Sequence, residues 1–185
     1  NSKGCAELVS AAYRSSFFNP THHAQHGVAL ATARAGNVIG GGDWAKDRLI
    51  PDILAAFEAG KQVLIRNPHA TRPWQHVLEP LAGYLRLAEA MWHQPGLAGA
   101  YNLGPPTDEA ASVKTVVELA RSPREICAVS YEIDSNVVHE AHWLALETAK
   151  ARTQLGVRPR WSLTQAVHRT MAWYAAQHAG ADARA

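Results

Sequence analysis

The order of elements along this chain predicts an α/β fold with parallel strand pairing. Apolar runs of strand length alternate with stretches of helical periodicity. Residues 28–34, VALATAR, are short, apolar and closed by Gly36, as a strand buried on both faces would be. The other strand-like runs are short and scattered, too few for a complete doubly wound sheet. The chain therefore reads as the end of such a sheet with a lobe packed over it.

The first seventeen residues, NSKGCAELVSAAYRSSF, carry Cys5, Leu8, Val9, Ala12 and Tyr13 at the three-and-four spacing of a core-facing helical stripe. Asn1 opens with neither a start methionine nor a capping segment, so this helix reads as one whose beginning lies ahead of residue 1. Asn19-Pro20 breaks the chain, and a polar loop leads to the 28–34 strand. Gly36 to Asp43 holds four glycines in eight positions, a loop that takes unusual dihedrals or approaches something closely.

Asp47 is placed to cap a helix over 48–59, which Gly60 ends. Gln62 to Ile65 reads as a strand, 66–77 as a polar, aromatic connection, and 79–93 as a helix with Pro80 in its first turn and Pro95-Gly96 as its stop. Ala100 to Leu103 is a strand. Ser112 caps a helix with Val113, Val116, Val117 and Ala120 on one side. Cys127 to Ile133 reads as a strand, 147–155 as a helix ending at Gly156, and 163–178 as the last helix. Residues 179–185 read as a disordered tail of small residues.

Bulk properties narrow the function. The 185 residues are 47% hydrophobic and 18% charged, as in a soluble globular protein. A net charge of +2, with lysines and arginines dispersed, gives no footprint for nucleic acid. His22, His23 and His26 are bracketed by Pro20 and Gly27 as a loop, without the spacing or carboxylate of a metal site, so no metal is expected. Cys5 and Cys127 are too few for a disulfide framework and read as small buried hydrophobes. No signal peptide or membrane span is indicated, and a reducing cytoplasm is the expected setting.

The stretches SKGCAELV, ARAGNVIGGGDW, DRLIPDI, RPWQHVLEPLAGYL, AYNLGP, HEAHWLALE and LGVRPRWSLTQAV follow one another from residue 2 to about 175. In this order and spacing they resemble the extended short-chain dehydrogenase/reductase superfamily, and within it the CDP-glucose 4,6-dehydratases. HEAH and the RPWQHVLEPL string are the features peculiar to that branch. The resemblance implies the C-terminal part of an extended Rossmann-like enzyme, with the N-terminal dinucleotide-binding half missing. Residues 1–45 would be the end of the Rossmann-like core, and 46–178 mainly the sugar-nucleotide-binding lobe.

The resemblance also implies residue roles. Lys3 would be the lysine of a Tyr-x-x-x-Lys motif whose tyrosine lies two residues before Asn1. One helical turn sets both side chains on one face, where the ammonium lowers the phenol pKa and holds the nicotinamide ribose of NAD. The backbone at Arg34 and Ala35 would approach the nicotinamide, and Asn37 would bind substrate. Arg48, Leu49 and Ile50 match the segment along the nucleotide. A cation at a helix start opposes the dipole, which fits Arg48 facing an anion. Arg72 falls where the family places a guanidinium on the diphosphate, and its planar fork suits two phosphate oxygens.

His76, Glu140 and His142 match segments near the substrate. HEAH lacks the His-Glu-x-x-His spacing of a zinc helix. Residues 121–138 and Val157 depart from the family pattern.

Implied activity is conversion of CDP-glucose to CDP-4-keto-6-deoxyglucose and water, a lyase reaction of deoxysugar and lipopolysaccharide synthesis. It would use bound NAD, in a homodimer bundled through the Lys3 helix, with the present chain inactive alone. A nucleotide-sugar epimerase or decarboxylase of the same superfamily, or a non-catalytic nucleotide-sugar-binding module, remains an alternative.

Overall fold

The computed structural model describes residues 2–65, 67–121, 129–131 and 141–182. In chain order its elements are α1 (Ser2–Ser16), α2 (His23–His26), β1 (Thr32–Ala35), β2 (Asn37–Ile39), α3 (Leu49–Glu58), β3 (Val63–Ile65), β4 (Thr71–Arg72) and β5 (Trp74–His76). There follow α4 (Leu78–His93), β6 (Ala100–Leu103), β7 (Ala111–Ser112), α5 (Val113–Arg121), β8 (Val129–Tyr131), α6 (Ala149–Leu155) and α7 (Leu163–His178). β1 pairs in parallel with β6, β2 with β5 and β3 with β8, while β4 and β7 run antiparallel.

Two hydrophobic clusters organise these pieces. Leu87 of α4, Tyr101 and Leu103 of β6, and Ala151 and Leu155 of α6 form one, with Ala31 and Ala33 packed against it. The other joins α3, β3, β5, α5 and α7 around Ile53, Val116, Val117 and Val167, all fully enclosed. The clusters interleave along the chain, because α4, β6 and α6 return to the β1 neighbourhood after the chain has built half of the second core.

Local chemistry explains most boundaries. Ser162 accepts from the Gln165 N–H while the Gln165 side chain accepts from the Ser162 N–H, a reciprocal capping box that starts α7. The Ser112 hydroxyl accepts from the Thr115 N–H ahead of α5. Gly156, at φ 67°, ends α6 in the left-handed conformation that a Cβ disfavours.

Several expectations are corrected. β1 begins at Thr32, not at residue 28, because β6 offers pairing partners only from Ala100 onward. Asp47 does not cap α3: it sits at φ 61°, and extended Arg48 occupies the cap position with no side-chain hydrogen bond to the helix. The α1 stripe is not core. Cys5 is exposed and α1 buries no residue, since the helix meets the sheet along its Glu7 edge and turns Leu8, Val9 and Tyr13 outward.

The glycine loop contains a strand, β2, and the 66–77 connection contains β4 and β5. His23 to His26 is a helical turn, and His26 Nε2 lies 3.0 Å from the Asn19 carbonyl. Among the described residues no three His, Cys, Asp or Glu side chains gather as a metal site, and no helix is long and apolar enough to cross a membrane. Ala179, Gly180 and Ala181 donate back to the last carbonyls of α7, whereas 183–185 and Cys127 lie outside the described residues.

Candidate functional site

Beyond the carboxyl end of β1 the chain opens into a cavity of about 440 Å³, within the range of small-molecule sites. Its floor is the backbone from Ala35 to Gly40. Asp47 to Pro51 and Arg72, Pro73 and Trp74 also line it, with Val113, Leu144 and Leu146 as further apolar lining.

Two glycines at and beside this floor let neighbouring groups come close. A Cβ on Gly36 would collide with the Pro73 carbonyl, and one on Gly41 with the Trp173 ring. The Asn37 N–H donates to that Pro73 carbonyl at 3.0 Å, so β2 and the Arg72 segment share one frame. The Tyr174 hydroxyl, reaching in from α7, accepts from the Asp43 N–H at 3.0 Å and lies 2.7 Å from the Asp43 carbonyl and 3.3 Å from that of Gly40. Burial pushes its pKa up, opposed by the hydrogen bond to Asp43.

The Arg72 wall is tied down equally well. Arg72 is 7% exposed and its Nη1 donates to the Thr71 carbonyl at 2.8 Å. Trp74 Nε1 donates to the Ala111 carbonyl at 3.0 Å, and Gln75 Nε2 donates to the Leu103 carbonyl at 2.8 Å, joining this wall to β7 and β6. Exposed Arg48 lines the same cavity, next to half-buried Leu49 and buried Ile50. Two arginines lining one cavity suit a diphosphate, Asn37, Asp43 and Asp47 offer partners for hydroxyls, and Leu49, Leu144 and Leu146 offer apolar contact to a flat ring.

Thus Ala35, Asn37, Arg48, Leu49, Ile50 and Arg72 converge on one cavity. The remaining candidates do not line it. Lys3 is exposed at the start of α1. The Arg34 side chain turns toward α1, with Nη1 3.6 Å from Glu7 Oε1. His76 is buried beyond the cavity, its ring edge-on to Trp161 at 4.7 Å, and its Nδ1 accepts from the Leu78 N–H. His142 is exposed; its backbone carbonyl accepts from the Thr71 N–H at 2.8 Å and sets the approach to Leu144 and Leu146. Glu140 lies outside the described residues.

Sequence reading missed Asp43, Tyr174, Leu144 and Leu146. Asp43 was signalled by the three glycines before it, but nothing local marks a tyrosine 131 positions away as the group that holds it.

This is the fold of the extended short-chain dehydrogenases/reductases, and the chain corresponds to their C-terminal half. The chain is 52% identical over 184 residues to CDP-glucose 4,6-dehydratase of Salmonella typhimurium strain LT2. The match spans 98% of this chain and 51% of that protein, so the chain has about half the length of the relative it matches. Among solved structures, a UDP-galactose 4-epimerase superposes with a TM-score of 0.71 at 18% identity, over 95% of this chain and 52% of the other. UDP-glucuronic acid 4-epimerase from Bacillus cereus, solved with UDP-glucuronic acid and NAD, gives 0.65 at 17%, over 82% of this chain and 47% of the other. No protein-family model matches the chain.

Proposed function

We propose that this chain forms the nucleotide-sugar-binding part of a sugar-nucleotide 4,6-dehydratase that takes CDP-glucose to CDP-4-keto-6-deoxyglucose and water. The observation that carries the reading is the single cavity onto which Asn37, Arg48, Leu49, Ile50 and Arg72 converge, in a chain half identical to a CDP-glucose 4,6-dehydratase. Arg72 and Arg48 would hold the diphosphate, Asn37 a sugar hydroxyl, and Leu49 and Ile50 the nucleoside.

NAD fits the cavity in one respect: at the carboxyl end of β1 it is lined by Ala35 and by Gly36, which carries no side chain. When bound, NAD would supply reversible oxidation at the sugar C4. Lys3 would then hold the ribose and, by its charge, favour the deprotonated form of a tyrosine one turn earlier. Arg34 would contribute through its backbone, since its guanidinium faces Glu7. Assayed by itself, the chain is expected to show no turnover.

Calorimetric titration tests the reading. CDP-glucose should bind more tightly than UDP- or dTDP-glucose, and Arg72→Ala should weaken it by roughly ten- to a hundredfold, the loss of a charge-assisted pair of about 1.5–3 kcal/mol. Equal affinity for all three nucleotide sugars, together with an unaffected Arg72→Ala variant, would remove the CDP assignment and the diphosphate role at once.

A further inference from the structure

The cavity holds more negative charge than a diphosphate site calls for. Asp43 and Asp47 line it together with Arg48 and Arg72. A carboxylate placed beside a diphosphate opposes binding by like-charge repulsion, so these two need a separate role. They differ in setting. Asp47 is exposed, at φ 61°, one position before Arg48. Asp43 is half-buried and held at three points. The Tyr174 hydroxyl meets its N–H at 3.0 Å and its carbonyl at 2.7 Å, and its own Oδ1 accepts from the Ala45 N–H at 3.1 Å. Oδ2 is left as the acceptor for a ligand.

The same Tyr174 hydroxyl lies 3.3 Å from the Gly40 carbonyl, which ties Asp43 to the end of β2, the strand that begins with Asn37. Asp43 therefore belongs with Asn37, the residue assigned to a sugar hydroxyl. Val113, Leu144 and Leu146 suit a flat base, and the arginines suit phosphate oxygens. The hexose is the part of such a ligand richest in hydroxyl donors for a carboxylate oxygen. Sugars carried on nucleoside diphosphates are either neutral or bear a carboxylate at C6. A neutral hexose offers Asp43 a donor. A uronate instead brings a second negative charge up to a fixed one in a partly desolvated cavity.

We propose that Asp43 is a specificity-determining residue, accepting a hexose hydroxyl through Oδ2 and excluding nucleotide sugars that carry a C6 carboxylate. The inference rests on the nucleotide-sugar reading of the cavity and adds to it the class of sugar admitted. Selection comes from a repulsive element rather than from a closer fit to the favoured ligand. Tyr174 makes that element effective. A carboxylate on a loose loop would swing away from an approaching uronate, whereas Asp43 is held at both its N–H and its carbonyl. At a separation of roughly 5–6 Å the repulsion amounts to about a ten- to hundredfold loss of affinity.

UDP-glucose and UDP-glucuronic acid share base and diphosphate and differ only at C6, so the ratio of their dissociation constants isolates the sugar. Both are titrated calorimetrically into one preparation, which makes the ratio insensitive to the fraction of folded chain. The unsubstituted chain is expected to bind UDP-glucose at least about tenfold more tightly. Asp43→Asn keeps an oxygen for the Ala45 N–H and removes the charge. Its ratio should fall to roughly threefold or less, chiefly through tighter binding of UDP-glucuronic acid. The proposal is overturned if the unsubstituted chain does not discriminate, or if Asp43→Asn leaves the ratio where it was. A changed preference between CDP-glucose and UDP-glucose in Asp43→Asn, with the uronate ratio intact, would also overturn it by assigning the carboxylate to the cytosine amino group. Failure to bind any nucleotide sugar would instead refute the reading of the cavity itself. Equal affinity for CDP- and UDP-glucose with the uronate still excluded would remove the CDP assignment and leave the role of Asp43 standing.

Discussion

Tyr174 shows how one hydroxyl can hold the loop at the edge of a cavity. Its ring is buried in the second cluster and edge-on to Trp44 and Trp173, so the oxygen is delivered rigidly to the loop that carries Asp43. Tyr174→Phe keeps the ring and strands the Asp43 N–H. Chemical denaturation should show a loss of about 1–2 kcal/mol, and CDP-glucose binding should weaken, with the loop now free to leave the cavity edge. Unchanged affinity in a destabilised variant would show that Asp43 plays no part in the site. Arg72 differs in kind, since its 7% exposure and bond to the Thr71 carbonyl fix the guanidinium beside the cavity before any ligand arrives.

At the scale of elements, start signals proved readable where they were local. The Ser162–Gln165 box places the first turn of α7 where the sequence pattern does, and that helix carries Val167, Met171 and Tyr174 into the second core. Ser162→Ala should lower stability by about 1 kcal/mol in urea unfolding, and Ser162→Asp should restore most of it. The 163–178 and 100–103 ranges coincide with the observed elements, because caps and apolar period lie within the segment itself. β2, β4 and β5 carry no such local signal, for the opposite reason. Each is two or three residues long and exists only through a strand distant in sequence, as Asn37 does against Trp74 and Thr71 against Ser112.

Across the whole molecule, the join between the two clusters runs through His76, Glu79, Trp161 and Arg169. The Glu79 carboxylate of α4 accepts from the N–H groups of Arg160 and Trp161, Arg169 of α7 lies 4.2 Å over the Trp161 ring, and the His76 imidazole packs edge-on to that same ring at 4.7 Å. Burial pulls the His76 pKa below 6.5; Glu79 pulls the other way and Arg169 adds to the lowering. The unfolded chain therefore binds a proton that the native chain resists, and stability should fall as pH drops below about 6.5, then level off once His76 protonates in the native state. Comparing urea midpoints at pH 7.5 and 5.5, His76→Gln should shrink the difference; an unchanged difference would place the pH sensitivity elsewhere. The sequence by itself determined the α/β class, the helices with their own caps, and the residue types suited to a diphosphate and a sugar. Tertiary structure alone decided which of them meet: it gathered Asn37, Arg48 and Arg72 on one cavity, turned Arg34 toward Glu7 and His76 toward Trp161, and left Cys5 outside. The physical reason is that apolar periodicity marks the face a helix could bury, whereas burial itself depends on which neighbour packs there.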